Sequence, residues 1–102
     1  MNFYTNSRGE NIVLNYIYRL PSEDKVMILR ALKGLSDGNS NSSAVLNIKK
    51  WRHPIWELTV GKYRIFYQIK NNDLFILHCC RKQSSKTSKV DTNLILNRSK
   101  NL

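Results

Sequence analysis

The chain has 102 residues, with 17 Lys or Arg against 7 Asp or Glu, a net charge of +10. That length predicts one domain over residues 1–102 with a single modest core, and the charge predicts a field that attracts polyanions, nucleic acid first among them. No apolar run approaches the length of a membrane span and no basic start leads into a signal-type apolar stretch, so the expectation is a cytoplasmic protein with no membrane partner.

In chain order, Asn2 to Thr5 suggests a short strand. From Glu10 to Leu20, Ile12, Val13, Tyr16, Ile17 and Leu20 recur at helical spacing, and Pro21 ends that helix. Ser22 is expected to cap a second helix, with Glu23 and Asp24 in its first turn, where carboxylates meet the positive end of the dipole. Val26, Leu29, Leu32 and Leu35 give it an apolar stripe, and Gly34 lies near its end. The two helices are expected to pair antiparallel on the apolar face of a sheet. Ser36 to Ser43 is a polar loop. Ala44 to Trp51 suggests an edge strand, which Arg52-His53-Pro54 interrupts.

Ile55–Val60, Tyr63–Ile69 and Leu74–Cys80 then read as three antiparallel strands joined by Gly61-Lys62 and Asn71-Asn72, residues that accept the positive φ of tight hairpins. A two-residue turn at Gly61-Lys62 sets Val60 opposite Tyr63, Thr59 opposite Arg64, Leu58 opposite Ile65, Glu57 opposite Phe66 and Trp56 opposite Tyr67. With the second hairpin turning at Asn71-Asn72, where a three-residue connector would instead exchange the faces of the third strand, the buried face carries Trp56, Leu58, Val60, Tyr63, Ile65, Tyr67, Leu74, Ile76, His78 and Cys80. The other face carries Glu57, Thr59, Arg64, Phe66, Gln68, Phe75, Leu77, Cys79 and Arg81. Arg64 thus stands in mid-sheet on the mixed face, near a carboxylate. Beyond Lys82, Ser88 can cap a third helix with Asp91 reaching back, Val90, Leu94 and Ile95 forming its apolar side. Asn97 to Leu102 is expected to fray.

The adjacent Cys79 and Cys80 point to opposite faces and cannot bridge one another, which suits free thiols in a reducing compartment. Two histidines and these cysteines make no zinc spacing, and His78 is expected to be a hydrogen-bonded core histidine. An A/T-rich coding bias would raise Lys, Asn and Ile together, yet the cations cluster: Lys49, Lys50 and Arg52, then Arg81, Lys82, Lys86 and Lys89. Arg64, Arg81, Lys82 and Lys86 form a constellation on which phosphodiester cleavage in RNA can run. The ribose 2′-hydroxyl is the nucleophile, so the protein need only align it, stabilise charge on the phosphorane oxygens and assist proton transfer, with no metal or cofactor. Arginine suits the charge, because its planar fork donates two parallel hydrogen bonds to phosphate. Glu57, expected near Arg64, is the candidate base or a cross-strand ion-pair partner. Lys49, Lys50 and Arg52, with Arg81, suit contacts to RNA backbone.

Trp56-Glu57-Leu58, Gly61-Lys62-Tyr63-Arg64-Ile65-Phe66-Tyr67, Leu77-His78, Arg81-Lys82 and Lys86-Thr87 resemble the RelE/HigB superfamily of toxins, in its phage-derived HigB-like branch. Phe3-Tyr4, Gly9 and the order of elements extend the likeness over most of the chain. The resemblance implies a small α+β, RelE-like fold: an antiparallel sheet of about four strands, two N-terminal helices on one face and a short C-terminal helix. It also implies the toxin of a type II toxin–antitoxin pair, an mRNA endoribonuclease acting in the ribosomal A site, neutralised by a cognate antitoxin with a helix-turn-helix domain. In that family the strand arginine contacts the scissile phosphate, which falls on Arg64. Basic residues after the last strand assist, here Lys82 and Lys86, with Arg81 adjacent. Relatives carry arginine where this chain has Thr59, lysine where it has Gln83 and proline where it has Ser88, so two cations near the site are missing. A non-catalytic RNA or ribosome binder on the same scaffold is the rival reading. A DNA-binding module is disfavoured, since no basic recognition helix is apparent.

Overall fold

The computed structural model describes residues 1–38 and 47–102, which form three helices and one five-stranded sheet. The elements are β1 Asn2–Phe3, α1 Ile12–Tyr18, α2 Ser22–Asp37, β2 Asn47–Arg52, β3 Ile55–Val60, β4 Tyr63–Lys70, β5 Asp73–Arg81 and α3 Lys89–Lys100. The sheet order is β1-β5-β4-β3-β2, antiparallel except for β1, which runs parallel to β5. β1 falls within the short strand expected over Asn2 to Thr5 and makes the sheet five-stranded, one more than the about four strands that the resemblance implies. The expected loop over Ser36–Ser43 is shortened at its start, because α2 continues to Asp37 and Gly38 closes it with φ 62. The remainder of that loop, and Ala44 to Leu46 of the expected edge strand, lie outside the described residues.

The first hairpin has the register that its two-residue turn dictates, from Val60 opposite Tyr63 to Trp56 opposite Tyr67. The second turns on Asn71 and Asn72, with φ 53 and 67, the pair of left-handed residues that a type I′ turn requires. Its pairing, however, steps from Tyr67–Ile76 to Phe66–His78, leaving Leu77 as the extra residue of a β-bulge. Beyond that point the side chains of β5 exchange faces. Cys79 joins the core beneath α1 and α2, whereas His78 and Cys80 lie on the opposite side, reversing the expectation for these three residues. Arg81 likewise comes opposite Tyr63 rather than joining the face of Arg64.

Two cores result, one on each side of the sheet. Val13 and Ile17 of α1 and Ile28 and Leu32 of α2 pack on Leu58, Val60, Tyr63, Ile65, Tyr67, Ile76 and Cys79. On the other side, Ile95 of α3 packs on Ile55, Phe66 and Leu77, flanked by Trp51, Phe75 and Cys80. The α2 stripe is therefore rotated from the expected one: Ile28 and Leu32 are buried, Leu29 and Leu35 half-buried, and Val26 exposed. Pro21, not Ser22, occupies the N-cap position of α2, and no side chain caps it. In α3, Val90 and Leu94 are exposed, and Ile95 with Arg98 forms the inward face. The guanidinium of Arg98 donates to the carbonyl of Leu77 at 2.9 Å, which anchors the end of α3 that was expected to fray.

Candidate nucleic-acid interface

The bulge at Leu77 assembles the polar site. It places Cys80 opposite Arg64, and His78 beside Phe66, on the sheet face that α3 only partly covers. The segment 82–88 crosses this face between β5 and α3. Arg64 lies beneath it, 4 % exposed, and donates from one terminal nitrogen to the carbonyl of Ser85 at 2.8 Å. Its Nε lies 3.4 Å from Oε2 of Glu57, itself 3 % exposed, and the same oxygen is 3.8 Å from Nζ of Lys49. The Arg64–Glu57 contact is an ion pair without hydrogen-bond geometry, so Nε is a buried donor with no hydrogen-bond partner among the described residues. Burial of that kind leaves a guanidinium with unused capacity for an anion.

Two hollows flank the segment. A cleft of about 240 Å³ is lined by Arg64, Arg81, Lys86, Gln83, Tyr16 and Asp91, together with Cys80 and the residues around Ser88. A second, of about 320 Å³, opens toward β2 and is lined by Lys49, Trp51, Arg52, Glu57, Lys86 and Thr87 among others. Of the residues chosen from sequence, Arg64, Glu57 and Lys49 form one contiguous charged chain, and Lys86 borders both hollows. Arg81 borders the cleft. Lys82 is tied by its backbone N–H to the carbonyl of Lys62, at the first hairpin turn, and is not among the cleft's lining residues. Lys50 also borders the second hollow, but its Nζ lies 5.7 Å from the ring centroid of Trp56, whose side chain packs under the helices.

Sequence reasoning missed the second half of the site. Ser88 caps α3 as expected, its Oγ accepting from the N–H of Asp91 at 3.1 Å and donating to the Asp91 carboxylate at 2.7 Å. The other carboxylate oxygen accepts from His78 Nε2 at 2.8 Å, while Arg98 donates to His78 Nδ1 at 3.0 Å. Arginine can only donate, so Nδ1 must accept and the ring proton resides on Nε2. Burial holds His78 below its ordinary pKa, and a proton on Nδ1 would face the Arg98 charge. Burial would raise Asp91, but the hydrogen bonds from Ser88 and His78 outweigh it and hold the carboxyl below its usual value. The visible signal was Arg98 itself, three residues beyond Ile95 and hence on the same helical face.

Donor atoms of His78, Cys80 and Asp91 lie within 4.8 Å of one another. Their chemistry favours a hydrogen-bonded relay over a cation. The imidazole proton is committed to Asp91, and burial pushes the Cys80 thiol up to about 12. The arrangement as a whole is a cationic cleft with an acidic back wall: Arg64, Arg81 and Lys86 line it, Glu57 pairs with Arg64, and Asp91 orients His78.

The family described as phage derived protein Gp49-like (DUF891) matches residues 15–100. No curated protein matches the chain. Among solved structures, a chain of the RelB-RelE antitoxin-toxin complex from Methanococcus jannaschii is similar in fold, with a TM-score of 0.62 at 17% identity over 79% of this chain and 89% of that one. Among the described residues, no helix is long and apolar enough to cross a membrane. With its family model reaching from within α1 through α2 and strands β2 to β5 to α3, and with a RelE-like fold, this chain belongs to the Gp49-like phage-derived family, one of the RelE/HigB-like toxin families.

Proposed function

We propose that this protein is the toxin of a type II toxin–antitoxin pair and a metal-independent endoribonuclease that cuts mRNA in the ribosomal A site. The observation that carries the reading is Arg64: a buried guanidinium whose Nε is ion-paired with Glu57 but makes no hydrogen bond, at the floor of a cleft bordered by Lys86 and Arg81. In the reaction, the 2′-hydroxyl gives its proton to Glu57 and attacks the neighbouring phosphorus, and the bond to the 5′-oxygen breaks as that oxygen takes a proton from Lys86, giving a cyclic phosphate and a free 5′-hydroxyl. Arg64 stabilises the charge that builds on the non-bridging oxygens, a task worth about 2–4 kcal/mol for a preorganised donor. The Ser85 carbonyl must first withdraw, so substrate binding displaces the 82–88 segment. Lys86, on that segment, closes over the phosphate from the other side. Lys82 is the more remote of the two lysines. Glu57 fixes the guanidinium plane, and as the buried carboxylate nearest it is also the candidate proton acceptor.

Lys49 and Arg52 on β2, with Arg81, contact RNA backbone by charge, and Lys50 does so from the other face of the strand. The cognate antitoxin, carrying a helix-turn-helix domain, binds this cationic chain as its neutralising partner. The related solved structure being an antitoxin–toxin complex supports such a partner.

One observation favours the rival reading of a non-catalytic ribosome or RNA binder: Arg64 is already paired with Glu57 and covered by Ser85. Mapping mRNA 5′ ends after induction in growing cells separates the two. Wild type produces codon-phased cuts and growth arrest, and Arg64→Lys and Arg64→Ala lose both. Arrest without cuts supports the binder, and a loss of ribosomal cleavage smaller than about tenfold in Arg64→Ala removes the arginine from its assigned role.

A further inference from the structure

We propose that Trp51, with Arg52 lying on its ring, is a stacking platform for one unpaired base of single-stranded RNA. The inference rests on the reading of the protein as an RNA binder and adds the contact that recognises a nucleobase rather than a phosphate. The register between β2 and β3 shifts between Lys50 and Arg52, so Trp51 is the irregular residue at the end of an edge strand. That irregularity turns the indole onto the α3 side, where it meets Phe66 edge-on, with ring centroids 5.0 Å apart at 64°. Phe66 is fully buried among Ile55, Leu77 and Ile95, so the indole is braced on immobile packing. The ring nonetheless remains partly exposed and lines the hollow of about 320 Å³.

Arg52 is exposed, its guanidinium carbon 5.1 Å from the Trp51 ring centroid. A planar cation on a braced indole offers a nucleobase two choices of surface, the guanidinium plane itself or the indole after Arg52 swings aside. Both stack on any base, since every base has a π face. The hollow also provides Lys49 and Lys86 for flanking phosphates, and Lys86 and Thr87 are common to it and to the Arg64 cleft. A strand whose phosphate sits over Arg64 therefore leads its neighbouring nucleotide past Lys86 toward Trp51. A tryptophan serving only as packing needs neither the cationic cover nor the open hollow beside it.

The test uses the full chain carrying Trp56→Phe, which leaves Trp51 as the sole tryptophan because the chain has two. Two short oligoribonucleotides of equal length and charge are titrated, one with ordinary bases and one abasic at alternate positions, both with non-cleavable 2′-O-methyl sugars. Trp51 emission is expected to quench with the first and to change little with the second. Trp51→Ala should weaken binding of the first by about tenfold, within the range that base–aromatic stacking supplies, and leave the abasic strand's affinity and the salt dependence unchanged. Trp51→Phe should recover most of the loss.

Equal quenching by both strands, or equal weakening of both by Trp51→Ala, overturns the platform. So does full affinity of Trp51→Ala for the base-containing strand. In each of these cases the wild type still binds RNA, and the broader reading stands. If the wild type binds neither strand nor ribosomes, both readings fall together.

Discussion

Replacing Glu57 by Gln tests the electrostatics on which the cleft is built. The substitution keeps the side chain's volume and removes its charge, leaving the guanidinium of Arg64 buried with only the Ser85 carbonyl at 2.8 Å. Breaking a buried ion pair from one side costs about 3–5 kcal/mol, because the surviving charge keeps its desolvation penalty and loses its compensation. The remaining carbonyl bond places the cost at the lower end, near 3 kcal/mol. Lys49 is largely exposed, so losing its contact with Glu57 adds at most a few tenths of a kcal/mol. On a domain of this size, 3 kcal/mol corresponds to a fall in Tm of roughly 12–24 °C. Urea titrations followed by far-UV circular dichroism would measure it. Glu57→Gln combined with Arg64→Met should recover most of the loss, since no unpaired charge remains, yet it should not cleave RNA on ribosomes. A single variant costing less than about 1 kcal/mol, or a double variant no better than the single one, would refute the buried pair.

Three further outcomes follow from the same geometry. His78 has its folded pKa below the ordinary 6.5, so the unfolded chain takes up the proton first. Its contribution to stability is complete above that value and is lost as pH falls through the folded one. Asp91, lowered from 3.8, adds a loss of the same sign at lower pH. Denaturant midpoints across this range should decline in that order, and His78→Gln should flatten the upper step. Gly61→Ala should cost about 1–2 kcal/mol by thermal denaturation, because φ is 57 and a Cβ there would stand 2.8 Å from the Met27 terminal methyl. Ser88→Ala should cost about 1 kcal/mol by the same measurement, through loss of the α3 cap.

The first hairpin was legible in the sequence to the residue, because a Gly-Lys turn of two residues admits one register and each strand alternates cleanly around it. The second was legible only as far as Ile76. Nothing in Leu74–Cys80 announces a bulge: Leu77, Cys79 and Cys80 are all acceptable on either side, so uninterrupted alternation was the simplest reading, and one extra residue exchanged the faces of everything after it. The stripe of α2 failed for a related reason. Val26, Ile28, Leu29, Leu32 and Leu35 offer two overlapping apolar faces, and the choice falls to tertiary packing, which seats Ile28 and Leu32 on the sheet. Phe66, Phe75 and Leu77 left open whether the far face was exposed or covered by the third helix, and Ile95 settles it as a second core.

Arg64 was found because an arginine in the middle of a half-apolar strand is costly unless something local compensates it, and its cross-strand neighbourhood already contained Glu57. The compensation also explains how a domain with so large a positive excess can hold several cations at one end of a sheet. Of its seven acidic residues, two are spent on the α3 side: Glu57 stands between Arg64 and Lys49, and Asp91 accepts from the neutral His78, whose other nitrogen accepts from Arg98. Glu57 removes one unit of charge from the site but fixes the position of Arg64, Asp91 fixes the imidazole that Arg98 bonds, and a positioned guanidinium acts on a phosphate more strongly than a mobile one because no reorganisation is left to make. The excess that remains, on Lys86, Arg81 and Arg52, lies at the exposed rim, where a positive field attracts polyanions from a distance without its charges having to be held in one place. Division of the basic residues into a few pinned and many loose follows from the placement of two acids, and it makes those acids, more than any single lysine, the residues on which the site's geometry depends.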